Sequence, residues 1–275
     1  MMTVEQFLAE NTRKLDASGV GTARLDIMVL LEDCLNKNRT HLLAHPDLIL
    51  SSEQLKWLTS RVTRRAKHEP LAYIRGKSEF YGREFIINKN VLEPRPESET
   101  MIDMLLNTQN LSVQPAIVDI GTGSGALAIT AKLELPQATV MGIDIDAKCL
   151  EVAKANANRY KTDIEFKKGS LLTPLTSNFQ LVSPVFLLAN LPYVPDHYQI
   201  NEAAGAEPRI AIFGGEDGLD LYRRFFGQLD SFDRKPEAVF TESMPPQHDA
   251  LADIAEQFGF KLAATDDFIQ KFIRG

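Results

Sequence analysis

Three glycines at alternating positions follow a short apolar run at residues 117–120. The loop after this run reads Gly121-Thr122-Gly123-Ser124-Gly125. Glycine permits a tight turn and lets ligand atoms approach the backbone where a Cβ would block them. Such a loop between a strand and a helix predicts a site for a nucleotide-like ligand. Because Gly121, Gly123 and Ala126 also fit the relaxed dinucleotide fingerprint, a nicotinamide-type site and a non-catalytic turn both stay open at this point.

An acidic residue ends the next apolar run. Asp144 lies 23 positions after Gly121 and directly follows residues 139–143. A carboxylate at the end of a second strand can accept hydrogen bonds from both ribose hydroxyls of an adenosine cofactor. Asp144 is therefore the predicted ribose ligand.

Four residues with distinct chemistry follow a third apolar run, residues 185–189. They are Asn190-Leu191-Pro192-Tyr193. In open α/β sheets, ligands bind at the carboxyl ends of the strands. A planar NH2 group, as in an amide or an aminopurine, has a delocalised lone pair and is a poor nucleophile. The Asn190 side-chain oxygen and the Leu191 carbonyl can each accept one of its N–H groups and aim the nitrogen lone pair at a methyl donor.

The rest of this tetrapeptide fits the same chemistry. Pro192 is expected to hold the loop rigid, and Tyr193 is expected to pack against the planar group. The competing interpretation is a strand that ends in an Asn-initiated turn beside a core tyrosine. Together with the glycine loop and Asp144, the tetrapeptide favours methyl transfer, because a hydride-transfer enzyme has no use for it. Asn190 and Tyr193 are the predicted catalytic residues.

These motifs resemble those of known methyltransferases. The glycine loop resembles motif I of the class I S-adenosylmethionine-dependent methyltransferases, and the tetrapeptide resembles the (Asn/Asp/Ser)-Pro-Pro-(Tyr/Phe) motif of enzymes that methylate planar NH2 groups. Nearly the whole chain then looks like the HemK-like protein-(glutamine-N5) methyltransferases of peptide chain release factors. The matching segments are Pro70-Leu71-Ala72-Tyr73-Ile74-x-Gly76, Glu79-Phe80-Tyr81-Gly82, Val91-Leu92-x-Pro94-Arg95-Pro96-Glu97-x-Glu99, Glu207-Pro208 and Gly214-Gly215-Glu216-Asp217-Gly218-Leu219.

The resemblance implies a role for each matching position. Residues 121–125 would line the methionine portion of S-adenosyl-L-methionine, Asp144 its ribose, and the backbone around Ser170 and Leu171 its adenine. Asn190 would lie beside both the cofactor and the substrate. The glutamine amide from the Gly-Gly-Gln tip of a release factor would be received by the tetrapeptide, that is by Asn190, Leu191, Pro192 and Tyr193.

The sequence departs from the family pattern in three places. Leu191 stands where the family usually has proline, and the mechanism survives because it uses the carbonyl of that residue. Ser170 stands where the family usually has an acidic residue near the adenine, so weaker cofactor binding is expected. Residues 179–184 are unlike the short family form and have no functional account.

Two alternatives to glutamine methylation stay open. The Asn-Leu-Pro-Tyr spelling also resembles RNA adenine-N6 dimethyltransferases, so an adenine in RNA or DNA is the second candidate substrate. Residues 96–275, however, hold 15 Lys and Arg against 25 Asp and Glu, a net charge of -10 that disfavours nucleic acid. The departures at Leu191 and Ser170 raise a third candidate, a degenerate methyltransferase that only binds a partner.

The surrounding pattern predicts the elements that hold these residues. Apolar residues at helical spacing predict helices over 4–15, from about 22, and from Ser51-Ser52-Glu53 to 66, with Leu25, Met28, Val29 and Leu35 facing inward in the second. Residues 79–87 predict a hairpin that turns near Gly82, and the prolines make residues 92–96 an extended linker.

Four short apolar runs predict a parallel sheet that is buried on both faces. They are residues 117–120, 139–143, 185–189 and 238–241, each separated by enough chain for a crossover helix. The predicted fold is α/β, a doubly wound, mostly parallel Rossmann-like sheet with an amino-terminal helical bundle and a linking hairpin. The predicted domains are a substrate-recognition domain at 1–75, the hairpin and linker at 76–97, and the methyltransferase domain at 98–275.

Composition excludes several classes of protein. With 275 residues, 44% hydrophobic and 24% charged, the chain matches globular usage and is long enough for about two domains. It carries two cysteines far apart, five scattered histidines without metal-ligand spacing, no apolar run approaching the roughly 18 residues of a membrane span, and a start unlike a secretory signal. The sequence therefore predicts a cytoplasmic protein without metal, disulfide or membrane anchor.

Charge and four further residues receive a plainer interpretation. Residues 1–95 carry a net charge of +3, from 15 Lys and Arg against 12 Asp and Glu, which suits an anionic or ribosome-associated partner. A solvated helix face is the other explanation for the basic residues at 61, 64, 65 and 67. Arg95 and Glu97 are expected to tie domains together, Trp57 to pack in a core or at a domain interface, and Glu242 to cap a strand edge.

Overall fold

The computed structural model describes residues 1–108, 114–175, 184–200 and 202–275, except for the side chain of residue 203. Of the atypical segment 179–184, only Pro184 lies within the described residues. The chain forms two compact units, Met1–Gly76 with Asn201–Ala206, and Lys77–Ile200 with Glu207–Gly275. In the described part of the chain, no helix is both long and apolar enough to cross a lipid bilayer.

The first unit is helical. Its helices in residues 1–76 are α1 (Val4–Ala17), α2 (Ala23–Leu35), α3 (Arg39–Ala44), α4 (Ser52–Arg65) and α5 (Leu71–Arg75). The three helices that the spacing predicts are confirmed as α1, α2 and α4. The short helices α3 and α5 were not predicted, because five or six residues are too few to show a helical period.

Helix α4 begins where the capping residues predict. Ser51 Oγ accepts the Gln54 backbone N–H at 3.2 Å, and Gln54 Oε1 accepts the Ser51 N–H at 2.8 Å. This capping box satisfies two backbone donors that a helix start would otherwise leave without partners. Trp57 on the same helix packs against the core of the unit, and the Arg61 guanidinium stacks over its ring at 3.4 Å from the centroid.

The inward face predicted for α2 is only partly right. Met28 is buried in the core of the unit and Leu35 packs against that core, but Leu25 does not. Leu25 is 48% exposed, whereas Ile27, Leu30 and Leu31 are completely buried. Both sets recur at helical spacing, because this helix is apolar around most of its circumference. The choice between them depends on where α1 and α4 pack, which the helix's own sequence does not show.

Part of the basic cluster in α4 is neutralised within the unit. Arg65 Nε donates to Asp26 Oδ2 at 2.6 Å, with both side chains nearly buried. Arg64 forms an ion pair with Glu69. These two arginines are therefore structural partners of acidic residues, and neither is simply a solvated charge on a helix face.

The second unit begins with a hairpin. Strands β1 (Lys77–Phe80) and β2 (Arg83–Ile86) pair antiparallel across a two-residue turn. Tyr81 and Gly82 both have positive φ, 52° and 67°, as a type I′ turn requires. The predicted hairpin and its turn at Gly82 are confirmed.

A seven-stranded sheet forms the centre of the second unit. Its strands are β3 (Ala116–Ile120), β4 (Thr139–Asp144), β5 (Glu165–Lys168), β6 (Val185–Ala189), β7 (Ala238–Glu242), β8 (Phe260–Asp266) and β9 (Ile269–Arg274), in the order β5-β4-β3-β6-β7-β9-β8. The first five strands are parallel, and β9 is antiparallel to both neighbours. All four predicted strands are confirmed, and so is the mostly parallel, doubly wound fold.

Helices cover both faces of this sheet. They are α6 (Glu99–Leu106), α7 (Ala126–Glu134), α8 (Ala147–Tyr160), α10 (Asp220–Asp230) and α11 (His248–Gln257), while the short α9 (Glu202–Gly205) belongs to the helical unit. Alternate residues of β3 enter opposite cores: Val118 packs with side chains of α10 and α11, and Ile117 with those of α6 and α7. This burial on both faces explains why the strands are predominantly apolar.

The strand register aligns the ends of four parallel strands. Ile120 pairs with Ile143 on one side and with Ala189 on the other, and Ala189 pairs with Thr241. The residue after each member of this row is Gly121, Asp144, Asn190 or Glu242. Four residues from distant parts of the chain therefore leave the sheet side by side at one edge.

We predict that Leu30→Ala and Leu25→Ala differ sharply in stability. Leu30 is completely buried, so its truncation should lower the free energy of unfolding by about 2–5 kcal/mol. Leu25 is a matched control on the same helix and should cost less than about 1 kcal/mol. Urea unfolding followed by circular dichroism measures both. Equal losses would contradict the assigned inner face of α2.

Candidate active site

The aligned strand ends open onto a cavity of about 410 Å³. It lies where β3 and β6 are neighbours and the chain runs outward in opposite directions along the sheet. Ligands bind at such a switch point because the loops on its two sides diverge and leave a crevice. Of the predicted site residues, those that line the cavity are Gly121, Gly123, Asp144, Leu171, Asn190, Leu191 and Pro192.

The start of the glycine loop is held close to the sheet. The N–H groups of Gly121 and Thr122 both donate to the Ile143 carbonyl, at 2.8 and 2.9 Å. Gly121 has a φ of 75°, a conformation that L side chains rarely adopt, and a Cβ there would contact Leu191. The loop therefore presents bare backbone to the cavity, as predicted.

Three residues of the glycine loop do not line this cavity. Thr122 and Ser124 line a smaller cavity of about 60 Å³, which also borders Ser98 and Asn190. Gly125 lines neither cavity. It begins α7 with a φ of 80°, and a Cβ would lie 3.1 Å from Ala153 in α8. Its geometry accounts for close helix packing, and its predicted contact with a cofactor stays a prediction.

Asp144 is nearly buried at the cavity wall. Its Oδ2 accepts the Gly123 N–H and its Oδ1 accepts the Asp146 N–H, each at 2.9 Å. Burial raises the pKa of Asp144, and these two hydrogen bonds oppose the rise. Each carboxylate oxygen keeps a further lone pair, so the group can still accept two hydroxyl donors from a ligand.

The far end of the cavity contains Ser170 and Leu171. Leu171 is buried with a φ of 53°, which turns the backbone sharply after β5. Ser170, which replaces the acidic residue usual in the family pattern, accepts a long hydrogen bond of 3.4 Å from Arg224 Nη2. This end of the cavity thus presents a hydroxyl and a cation in place of a carboxylate.

Asn190 is held by Ser98, a residue that no motif in the sequence singles out. Its Nδ2 donates to Ser98 Oγ at 2.9 Å, and the Ser98 hydroxyl donates to Glu242 Oε2 at 2.5 Å. Ser98 is 3% exposed and Glu242 1% exposed. Burial raises the pKa of Glu242, and hydrogen bonds from Ser98, Tyr193 and Asn190 lower it.

The interpretation of Glu242 as a strand-edge residue is wrong. It ends β7, which has β6 on one side and β9 on the other, so its strand is central. The available signal was its position directly after the fourth apolar run, equivalent to those of Gly121, Asp144 and Asn190. Ser98 offered no such signal, because it lies 92 positions before Asn190 and directly follows a proline-rich segment.

Tyr193 does not line the cavity of 410 Å³. Its hydroxyl donates to Glu242 Oε1 at 3.0 Å, and its carbonyl accepts Gln247 Nε2 at 2.8 Å. Burial and the neighbouring carboxylate raise the pKa of Tyr193 well above its usual range, so it stays a hydroxyl donor. Its predicted stacking on the substrate stays a prediction.

A buried tyrosine joins the ends of β6 and β7. The Tyr222 hydroxyl lies 2.9 Å from the Ala189 carbonyl and 2.6 Å from the Glu242 carbonyl, and it accepts the Leu191 N–H at 3.3 Å. The backbone on both sides of Asn190 is therefore bonded to one fully buried side chain. This arrangement fixes where the tetrapeptide leaves the sheet.

The linker beside the smaller cavity is also anchored. Arg95 forms an ion pair with Glu207, a side chain that is nearly buried, and Glu207 Oε1 accepts the Glu93 N–H at 3.2 Å. Burial raises the pKa of Glu207, and Arg95 lowers it. Arg95 therefore ties the linker within the second unit.

Within the described ranges, no cluster of three or more His, Cys, Asp or Glu residues has an arrangement suited to a metal ion.

The sheet order and the polar residues at the switch point fit the class I methyltransferase fold that the sequence resemblance predicts. Residues 6–76 match the family described as the PrmC N-terminal domain, and residues 98–194 match the methyltransferase small domain. The chain is 34% identical over 232 residues to the release factor glutamine methyltransferase of Koribacter versatilis, covering 83% of this chain and 81% of that protein. It therefore belongs to the release factor glutamine methyltransferase family, as the sequence resemblance predicts.

Two further comparisons support these assignments. The release factor glutamine methyltransferase of Deinococcus radiodurans is 30% identical over 279 residues, with 99% of this chain and 98% of that protein covered. Among solved structures, the hMettl16 catalytic domain in complex with the MAT2A 3′UTR hairpin 1 has a TM-score of 0.54 at 13% identity, covering 82% of this chain and 81% of that one. At that identity the likeness shows the fold alone.

Besides Asp144, Glu207 and Glu242, a further buried carboxylate lies beneath the glycine loop. Asp119 Oδ2 accepts the Thr122 hydroxyl at 2.6 Å and the Ala128 N–H at 3.2 Å. Its Oδ1 is buried without a hydrogen-bond partner among the residues that the structure describes. Burial, helped by the nearby Asp144, raises the pKa of Asp119 from 3.8 to about 7.

We predict that Asp119→Asn changes how stability depends on pH. The pKa of Asp119 is higher in the folded chain than in the unfolded chain. Its contribution to the free energy of unfolding is therefore fully present below about pH 4 and is lost as the pH rises through 7. Between pH 4 and 8 the wild type should lose on the order of 2–4 kcal/mol of unfolding free energy relative to the variant. Urea unfolding at each pH measures this, with exposed Asp163→Asn as the control. A constant difference between wild type and Asp119→Asn would contradict the assignment.

Proposed function

We propose that this protein transfers a methyl group from S-adenosyl-L-methionine to the side-chain amide nitrogen of the glutamine in the Gly-Gly-Gln tip of a peptide chain release factor. The proposal rests on the family of the chain and on one observation above all. Asn190 Nδ2 donates to Ser98, which leaves the Asn190 side-chain oxygen beside the cavity without a donor among the residues that the structure describes. A substrate amide nitrogen needs such an acceptor, since its own lone pair is delocalised.

The cavity suits S-adenosyl-L-methionine in size and in chemistry. A volume of about 410 Å³ falls within the roughly 300–1,000 Å³ of small-molecule pockets. The wall at Gly121 carries no Cβ, and Asp144 retains acceptor capacity for two hydroxyls. We assign Gly121, Thr122, Gly123, Ser124 and Gly125 to the methionine side, Asp144 to the ribose and Leu171 to the adenine.

The residues of the tetrapeptide would carry the reaction. When bound, the cofactor supplies an activated methyl group on a sulfonium sulfur. The Asn190 oxygen and the Leu191 carbonyl each accept one N–H of the glutamine amide, which draws the nitrogen toward tetrahedral geometry and aims its lone pair at that methyl carbon. The S–C bond would be exchanged for a new C–N bond, and one N–H proton of the amide would pass to solvent water.

The remaining parts of the chain receive roles in the same proposal. Residues 1–75 form the helical domain that recognises the release factor, residues 76–97 the hairpin and linker, and residues 98–275 the catalytic domain. Pro192 limits the motion of the loop, and Tyr193 supports the substrate amide. We place the reaction in the cytoplasm, where release factors act on the ribosome, and without a metal ion or a membrane.

Transfer of a labelled methyl group tests the substrate. The protein is incubated with labelled S-adenosyl-L-methionine and, separately, a release factor, the same factor with its tip glutamine changed to alanine, and total RNA. We expect label on the intact factor alone. Label on RNA would favour the adenine alternative. No label together with no cofactor binding by calorimetry would favour the degenerate binding module.

We predict that Asn190→Ala separates turnover from cofactor binding. Removing an acceptor that acts mainly in the transition state should lower kcat by about 100- to 1,000-fold. The Kd for the cofactor, measured by calorimetry, should stay within about threefold. Asn158→Ala, an exposed substitution on α8, is the control and should behave as wild type. An unchanged kcat in Asn190→Ala would refute the role of Asn190.

We predict the opposite pattern for Asp144→Ala. Loss of a charged acceptor should weaken cofactor binding by about 10- to 100-fold, since a hydrogen bond to a charged group contributes about 1.5–3 kcal/mol. At saturating cofactor, kcat should recover most of its wild-type value. Calorimetry and initial rates measure the two effects, with exposed Asp163→Ala as the control. Unchanged cofactor affinity would show that Asp144 does not bind the ribose.

A further inference from the structure

One buried carboxylate anchors both polar ends of the tetrapeptide. Glu242 Oε2 accepts the Ser98 hydroxyl at 2.5 Å, and Ser98 Oγ in turn accepts Asn190 Nδ2 at 2.9 Å. Glu242 Oε1 accepts the Tyr193 hydroxyl at 3.0 Å. The first and fourth residues of the motif are therefore connected through a single side chain that the proposed chemistry does not itself use.

The direction of each hydrogen bond follows from the groups involved. Ser98 donates its one hydroxyl proton to Glu242 Oε2. Ser98 Oγ is then left with lone pairs only, and it can bond only a donor from Asn190. That donor is the NH2 group, since the Asn190 oxygen in its place would set two acceptors against each other. The Asn190 oxygen is thereby turned away from Ser98.

The surroundings of Glu242 agree with a dedicated role. The side chain is 1% exposed, and the hydrogen bonds described for it come from Ser98, Tyr193 and Asn190. These partners are neutral, and within the described part of the chain no cation is paired with Glu242 to compensate its burial. A buried carboxylate of this kind costs stability. Its hydrogen bonds are made with residues of the proposed site.

We propose that Ser98 and Glu242 are positioning residues for methyl transfer, which set the side-chain amide of Asn190 so that its oxygen faces the substrate nitrogen. This inference rests on the proposed function. Neither residue lines the cavity of 410 Å³. Glu242 fixes the hydroxyl of Ser98, and Ser98 fixes the amide of Asn190. Tyr193 is bonded to the second oxygen of Glu242, which fixes the last residue of the tetrapeptide relative to Asn190.

Two substitutions at Ser98 form the first test. Ser98→Ala removes the bond to the Asn190 NH2 group and should lower kcat by about 10- to 100-fold, with the cofactor Kd changed by less than about threefold. Ser98→Thr keeps a hydroxyl at the same place and should recover at least about a third of the wild-type kcat. Equal losses in both variants, or a loss confined to cofactor affinity, would overturn the proposal.

A double substitution shows whether Ser98 acts through Asn190. If it does, Ser98→Ala should have less than about a twofold effect on kcat in a chain that already carries Asn190→Ala. If Ser98→Ala lowers kcat by the same factor in both backgrounds, Ser98 acts independently of Asn190 and the proposal is wrong.

Glu242→Gln supplies a second variant of nearly unchanged volume. Its NH2 group can donate to Ser98 Oγ, which frees the Ser98 hydroxyl to donate to the Asn190 oxygen and turns the Asn190 NH2 group toward the substrate. We expect kcat to fall about 100-fold without loss of cofactor binding. Glu242→Leu leaves the Ser98 hydroxyl without its acceptor and decides the matter even if Ser98→Ala does not fold, because a folded Glu242→Leu variant with wild-type kcat would refute the proposal.

These outcomes are distinct from a failure of the proposed function. If the wild-type protein does not methylate the release factor, the assigned reaction is wrong. If the wild type methylates it and the Ser98→Ala and Glu242→Leu variants do so at the same kcat, the reaction stands and the positioning role is wrong.

Discussion

The common register of four parallel strands is the constraint on which the site depends. Because Ile120, Ile143, Ala189 and Thr241 pair in one row, the next residue of each strand reaches the same edge of the sheet. That edge brings a loop glycine, two carboxylates and a carboxamide into neighbouring positions, although they lie far apart along the chain. Burial of the strands on both faces holds this row, since a slip of one residue would turn each buried side chain to the opposite face.

The same row explains how a polar site is maintained beside an apolar core. The buried Tyr222 hydroxyl forms hydrogen bonds with the backbone of β6 and β7 where both strands end. The side chains of Asn190 and Glu242 remain available for their own hydrogen bonds, Asn190 with Ser98, and Glu242 with Ser98 and Tyr193. Ser98 reaches them from the start of α6. Asp144 is satisfied in a similar way by loop N–H groups, and one oxygen of Asp119 accepts the Thr122 hydroxyl and the Ala128 N–H. The carboxylates raise the energy of the folded state, and the strongly apolar strands around them offset that cost.

Most of this arrangement could be predicted from the sequence, and the parts that could not be predicted have physical causes. Gly121, Asp144 and Asn190 were predictable because each directly follows a continuous apolar run, and Glu242 carries the same signal in β7. Ser98 was not predictable, since its contact with Asn190 spans 92 positions and depends on where α6 meets the sheet. The antiparallel pair β8 and β9 was also missed, because most side chains of β8 are exposed and its pattern is not continuously apolar. For Leu25, two apolar faces fitted the spacing equally well, and only the packing of neighbouring helices decides between them.

The central claim is that a fixed Asn190 oxygen and the Leu191 carbonyl receive the glutamine amide nitrogen. A crystal structure of this protein with S-adenosylhomocysteine and an unmethylated release factor tests it most directly. The account predicts the glutamine nitrogen within about 2.7–3.2 Å of both oxygens, with Asn190 Nδ2 still bonded to Ser98 Oγ. A glutamine that presents its carbonyl oxygen to Asn190, or that lies outside the cavity beside Gly121 and Asp144, would contradict the account.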